Sequence, residues 1–166
     1  MLDNISEARL NEVHPELARR IRSLNDKCEA NGVPLRVTCG LRTWAEQDLL
    51  YAKGRTLPGA IVTNAQGGHS AHNMAYAVDI VPGKEGMPAF TPDWDALDVS
   101  WKWVLLLAKD CQLAEGAEWR MFPDRAHFYL RELPATPDDE MRYTFKEGGM
   151  AAVFELIDKR LASFTG

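Results

Sequence analysis

This 166-residue chain carries little of what marks a stapled secreted scaffold, a membrane protein or a nucleic-acid binder. Its three cysteines, Cys28, Cys39 and Cys111, are widely spaced, odd in number and form no CxxC pair. Neither a disulfide framework nor a thiolate zinc site is suggested by that pattern, and buried or half-buried thiols in a reducing cytosol are expected instead. No run of about 18 apolar residues occurs, so no membrane insertion is expected. The opening MLDNISEARLNEVHPELARR has neither a basic start nor an apolar stretch, so no secretory signal is expected. Positive charge is in the minority, 19 Lys+Arg against 24 Asp+Glu for a net charge of −5. The one basic run, Arg19 to Arg22, falls on a predicted helix, and nucleic acid is not an expected partner. There is no internal repeat, low-complexity tract or dividing linker, and a single domain over 1–166, acting as a monomer, is expected.

What remains is a soluble globular composition, 46% hydrophobic and 26% charged. Residues about 5 to 30 read as helix in two pieces, the first capped by Asn4 or Ser6, the second opening at Pro15 and stopping at "ANG". "PLRVTCG" reads as a strand with Leu35, Val37 and Cys39 on one face. In "TWAEQDLLYAKG", Thr43 and Glu46 have capping-box spacing and Gly54 marks the stop. "AYAVDIV" (Ala75 to Val81) reads as a short buried strand, and "AHFYLREL" as another. A helix is predicted from about Asp98 to Leu113, with Trp101, Leu105 and Ala108 in the core, and an amphipathic one at the tail through Val153, Phe154, Ile157 and Leu161. Helices and strands do not alternate strictly, so the expected class is α+β, a small, mainly antiparallel sheet flanked by helices.

The stretch "HSAHNMAYAVDI" concentrates the chemistry. A carboxylate inside an apolar strand, Asp79, is costly unless it is paired or metal-bound. A salt bridge to a buried arginine is the plain alternative. A catalytic zinc takes three His, Asp or Glu ligands and keeps a position open, and His72 with Asp79 would supply two. Seven residues apart on one strand would put them on opposite faces, so His72 is expected in the turn before the strand, where Gly67 and Gly68 suit a turn. For a third ligand His14, His69 and His127 are available. His14 precedes a helix start and is expected at the surface, and His69 also reads as a polar loop residue. His127 opens a strand, with Asp124 three residues before it, spaced to place a base beside a metal-held water.

These residues carry a resemblance. "SAHNMAYAVD" resembles the Ser-x-His-x-x-Gly-x-Ala-x-Asp motif of zinc D-alanyl-D-alanine peptidases and L-alanyl-D-glutamate peptidase endolysins of phage, and "DRAHF" resembles their second motif. "GLRTWAEQDLLYAKGRT", "IVTNAQGG" and "FKEGGM" are similar to other segments of those endolysins. The resemblance implies a fold of the Hedgehog/D-Ala-D-Ala-peptidase kind. It implies one zinc ion per chain, held by His72, Asp79 and His127, with Asp124 as catalytic base. Arg42 would face the substrate and stabilise the oxyanion, and Ser70 would contact substrate or support the ligands. Glu118 is the rival acid. Where this chain has Ala75 the family usually has glycine, a change that the backbone tolerates unless positive φ is needed there.

The activity implied is hydrolysis of the peptidoglycan stem peptide, at the L-alanyl-D-glutamate bond. A D-alanyl-D-alanine carboxypeptidase or dipeptidase, and a non-catalytic zinc-containing binding module, are the alternatives. The missing signal fits an endolysin made in the host cytoplasm that acts on the wall after release. With no cysteine expected at the site, thiol chemistry is expected to play no part.

Overall fold

The computed structural model describes residues 1–83, 90–94, 99–117, 119–120 and 123–164. In chain order its elements are α1 (Asn4–Leu10), α2 (Pro15–Glu29), β1 (Leu35–Cys39), α3 (Trp44–Ala52), a 3-10 turn (Ala71–Met74), β2 (Ala77–Pro82), α4 (Val99–Asp110), β3 (Leu113–Gly116), β4 (Asp124–Leu130) and α5 (Asp139–Ser163). The fold is the expected α+β, with a small antiparallel sheet. No helix among the described residues is long and apolar enough to cross a membrane.

Two compact units make up the chain, and the first combines Met1–Gly40 with Ala77–Arg131. Its strands are ordered β1-β2-β4-β3, every neighbouring pair antiparallel. Helix α1 packs on β1, while α2 and α4 pack on each other and on the sheet. Leu17, Leu24, Val78, Ile80, Phe128 and Leu130 are fully buried in this core. On α4 the buried positions are Trp101, Val104 and Ala108, so Val104 takes the place expected of Leu105.

Two N-terminal expectations are corrected. Neither Asn4 nor Ser6 caps α1; Asp3 does, its carboxylate accepting from Ser6 N at 2.8 Å. Ser6 is buried, and its hydroxyl oxygen accepts from Val37 N at 3.0 Å, tying α1 to β1. His14 is not at the surface but 2% exposed. Pro15 at the first helical position has no N–H to satisfy, and the His14 ring turns in to cap α2, Nδ1 accepting from Glu16 N at 3.2 Å.

The second unit comprises Leu41–Tyr76 and Glu132–Gly166. The Thr43–Glu46 capping box of α3 is formed from both sides, Glu46 N donating to the Thr43 hydroxyl and Thr43 N to the Glu46 carboxylate. Trp44 stacks on Phe145 of α5 with ring centroids 5.1 Å apart. Helix α5 begins earlier than its apolar pattern suggests, because the Asp138 carboxylate caps it by accepting from Met141 N at 2.9 Å. It breaks at Gly149, whose φ of 66° and ψ of −162° are not helical. Beyond the break Val153 and Ile157 are fully buried, and Phe154 and Leu161 half-buried.

Ala75 closes the 3-10 turn at φ 56° and ψ 25°, with its methyl fully buried. The backbone there does adopt the left-handed conformation that favours glycine. An L-residue in that region is disfavoured by about 1–2 kcal/mol, while glycine gives up about 0.5–1 kcal/mol through the greater freedom of the unfolded chain. Ala75→Gly is therefore expected to raise the thermal midpoint by about 2–3 °C, the shift of a fraction of a kcal/mol to 1 kcal/mol in a chain of this size. A fall of that size in a calorimetric scan would show that the packing of the methyl outweighs the strain.

Candidate metal centre

Strand β2 runs through the interior of the sheet, and all its residues are buried except half-exposed Asp79. In an antiparallel ladder, residues directly opposite each other project to the same face. Asp79 lies opposite His127 of β4, as Val78 lies opposite Phe128 and Ala77 opposite Tyr129. Register thus brings a carboxylate to an imidazole that is 5% exposed. His127 Nδ1 and Asp79 Oδ1 are 3.4 Å apart. That is longer than the ~2.7–2.9 Å of a charge-assisted hydrogen bond. It is the separation, about 3.3–3.4 Å, of two ligands each ~2.0–2.1 Å from one tetrahedral ion.

Asp124 joins them through an irregularity. Three residues before His127 on a regular strand would be the opposite face. Between Glu115↔Phe128 and Gly116↔Asp124 the ladder slips, β4 using four residues where β3 uses one. Bulges of this kind re-aim side chains. The half-buried Asp124 accepts from Ala126 N at 3.1 Å. Ligand atoms of Asp79, Asp124 and His127 all lie within 4.8 Å of one another. Imidazole nitrogen and carboxylate oxygen are both donors that zinc takes, so His127 and Asp79 fit such an ion, with the Asp124 carboxylate beside them.

The expectation of a site without cysteine is overturned on the other side of β2. A register shift between Val37 and Cys39 sets Cys39 opposite Asp79, with Sγ within 4.8 Å of the carboxylate. Thr38 of the same bulge donates its hydroxyl to Asp79 O at 3.2 Å. The odd-numbered face predicted for β1 holds for Leu35 and Val37 and breaks at the bulge, leaving Cys39 half-buried.

The second unit carries the other motif residues. His72, 2% exposed, sits in the 3-10 turn before β2, as its spacing from Asp79 requires. Its carbonyl accepts from Arg42 N at 3.1 Å. The half-buried Arg42 side chain donates through Nη1 to Gln47 Oε1 at 2.8 Å, and Gln47 is fully buried, its amide donating to Ala65 O at 2.9 Å and Thr63 Oγ1 at 3.3 Å. Asn73 is the hub. Its Nδ2 donates to Arg42 O at 2.8 Å and Thr43 O at 3.3 Å, while its Oδ1 accepts from Gly68 N at 3.0 Å and Ser70 N at 3.3 Å. Gly68, at φ +81°, lies against the Trp44 ring, 3.0 Å from where a Cβ would be. Ser70 is the residue before the turn.

Sequence reasoning missed Gln47, Asn73 and Cys39. Asn73 had a signal, since it stands three residues after Ser70 in the spacing of a cap. His69 is exposed, its Nδ1 3.5 Å from Arg142 Nη1. Glu118, the rival acid, lies outside the described residues.

Comparison with known proteins places the chain in a family. The sequence signature of the VanY family, D-alanyl-D-alanine carboxypeptidase, matches residues 10–114. The chain is 32% identical over 123 residues to the peptidoglycan L-alanyl-D-glutamate endopeptidase CwlK of Bacillus subtilis, covering 72% of this chain and 74% of that protein. Among solved structures it resembles the L-Ala D-Glu endopeptidase ChiX of Serratia marcescens, at 24% identity and a TM-score of 0.55, covering 90% of this chain and 94% of that one. It also resembles the vancomycin resistance D,D-pentapeptidase VanY, solved in complex with Zn(II), at 16% identity and a TM-score of 0.53, covering 90% and 83%. At those identities the two structures speak for the fold. The signature and the Bacillus relative, taken together, show that the chain belongs to the VanY family of D-alanyl-D-alanine carboxypeptidases.

Proposed function

We propose that this protein is a zinc-dependent metallopeptidase that hydrolyses the stem peptide of peptidoglycan at the L-alanyl-D-glutamate bond, in the role of an endolysin. The observation that carries this reading is the group of Asp79, Asp124 and His127, with Asp79 and His127 at the separation of two ligands of one ion. The bond is supported by the likeness to CwlK, itself named an L-alanyl-D-glutamate endopeptidase. The endolysin role is supported by the segments "GLRTWAEQDLLYAKGRT" and "IVTNAQGG".

In this reading His72, Asp79 and His127 hold one zinc ion per chain. When bound, the ion supplies Lewis acidity towards an attacking water and a scissile carbonyl. The Asp124 carboxylate takes a proton from the water and delivers it to the leaving amine. Arg42, oriented by Gln47, places a fixed cation where negative charge develops on the carbonyl oxygen, and Ser70 contacts the peptide. The family signature favours a second reading, a carboxypeptidase that releases terminal D-alanine. Digestion of purified peptidoglycan separates the two: new amino-terminal D-glutamate identified by mass spectrometry supports the first, released D-alanine the second. Intact stem peptides of every type, from protein that binds zinc, would leave a binding module.

Metal analysis is expected to give one zinc per chain for the wild type and to show most of it lost from His72→Ala. Full occupancy in that variant would move the ligand, His69 being the next histidine in the loop.

Asp124→Asn keeps size and polarity but cannot accept the proton. Turnover should fall by at least about 10²-fold, the lower end of what general-base catalysis contributes, with zinc content near wild type. Glu118→Gln is the control, and a larger loss there would reassign the base.

Cys39 changes what a thiol reagent reports. Burial, with the neighbouring Cys111 adding to it, pushes the Cys28 thiol up to about 12, so Cys28 should not react under native conditions. Alkylation of Cys39 beside Asp79 should inhibit by obstruction, whereas Cys39→Ser should remain active and resist the reagent. An inactive Cys39→Ser that retains zinc would show that the thiol takes part in the chemistry. Reductant should have no effect on the wild type, and a chelator should abolish activity.

A further inference from the structure

The segment that brings Asp124 and His127 together contains an aromatic side chain for which the proposed chemistry has no use. Trp119 follows β3, half-buried, in a turn closed by its backbone N–H donating to Gly116 O at 3.2 Å. That turn lays the indole on β4. Its ring centroid is 4.9 Å from that of His127, with the planes at 50°, and 6.4 Å from Tyr129. His127 and Tyr129 are themselves 5.7 Å apart, so the three rings form one cluster.

The placement is tightly determined. Indole N–H is a donor only, and the acceptor beside it on β4 is the Tyr129 hydroxyl. Gly116 leaves the space: a Cβ there would lie 3.3 Å from the Trp119 ring, 3.2 Å from His127 Cβ and 2.7 Å from Asp124 O. The torsion that sets an imidazole plane is broad and roughly two-fold, so the plane is decided by what packs on the ring. One nitrogen of His127 meets Asp79, and Trp119 supplies the packing.

We infer that Trp119 is a positioning residue for His127: the indole, anchored on Tyr129, holds the imidazole with Nδ1 towards Asp79 and so slows release of the metal. The inference rests on the zinc reading proposed above, in which Asp79 and His127 are ligands. Contacts that orient a metal-binding histidine generally change metal affinity by about 10–100-fold when removed.

The test uses the full chain loaded with zinc, or with Co(II) as a spectroscopic probe. The rate of metal transfer to a chelator and the Co(II) absorption spectrum are measured for wild type, Trp119→Leu, Tyr129→Phe and His127→Ala, with folding checked by circular dichroism. Trp119→Leu is expected to release metal about tenfold faster or more, with an altered Co(II) spectrum. Tyr129→Phe, which removes one hydroxyl, is expected to release it about threefold faster, the size of a single neutral hydrogen bond. A folded Trp119→Leu with wild-type release and spectrum overturns the inference and leaves the zinc site standing, provided His127→Ala fails to hold metal. If Trp119→Leu does not fold, Tyr129→Phe decides, and an unchanged release rate overturns the inference. A wild-type chain that takes up neither metal overturns the zinc reading and the inference with it.

Discussion

The carboxylate of Asp79 in an otherwise apolar interior strand is the constraint on which the first unit is built. Removing an ion from water is opposed by several kcal/mol even after relaxation. On β4, His127 faces that carboxylate, and the β1 bulge sets Cys39 beside it while Thr38 holds the Asp79 backbone carbonyl. A slip of one residue in the β2–β4 ladder would turn the carboxylate away from the imidazole, because side chains alternate between the faces with a period of two. The apolar neighbours Val78 and Ile80, fully buried, hold the register against that slip. Core packing and site geometry are one requirement in this sheet.

Departures from regular backbone gather beside the histidines and aspartates of the two motifs. The bulge in β1 sets Cys39 against Asp79, and the slip between β3 and β4 returns Asp124 to the face of His127. Gly116 allows that slip, since no side chain fits between Asp124 O and the Trp119 ring. In the second unit Ala75 occupies a left-handed conformation directly after the turn that holds His72. Such irregularities persist where surrounding structure over-determines them. Asn73 supplies that determination in the second unit by binding the backbone at Arg42 and Thr43 and, across the glycine turn, at Gly68 and Ser70.

Much of this was legible in the residues. Caps and turns are local, so the Thr43–Glu46 box and the opening of α2 at Pro15 could be read directly. The odd spacing of His72 and Asp79 required His72 to precede the strand, and it does. The failures are equally specific. His14 was expected at the surface because it precedes a helix start, but its ring turns inward and caps α2 through Glu16 N. The first cap was assigned one residue or more too late, because Ser6 was wanted by Val37 of a distant strand. The tail helix was read through Val153 to Leu161, past the break at Gly149, and the turns that Asp138 caps before that break were not foreseen.

What the sequence determined by itself was the supply of groups: two motifs with their histidines and aspartates, an apolar strand with one acid in it, and an α+β pattern of elements. These follow from periodicities and spacings over a few residues, which the chain carries wherever it folds. Only the tertiary structure decided that Asp79 faces His127, that Asp124 reaches the same side from an unfavourable spacing, and that Cys39 stands opposite Asp79. Each depends on how strands distant in sequence align and where a ladder slips. Alignment is chosen by the packing of the whole sheet, so no local pattern of residues encodes it.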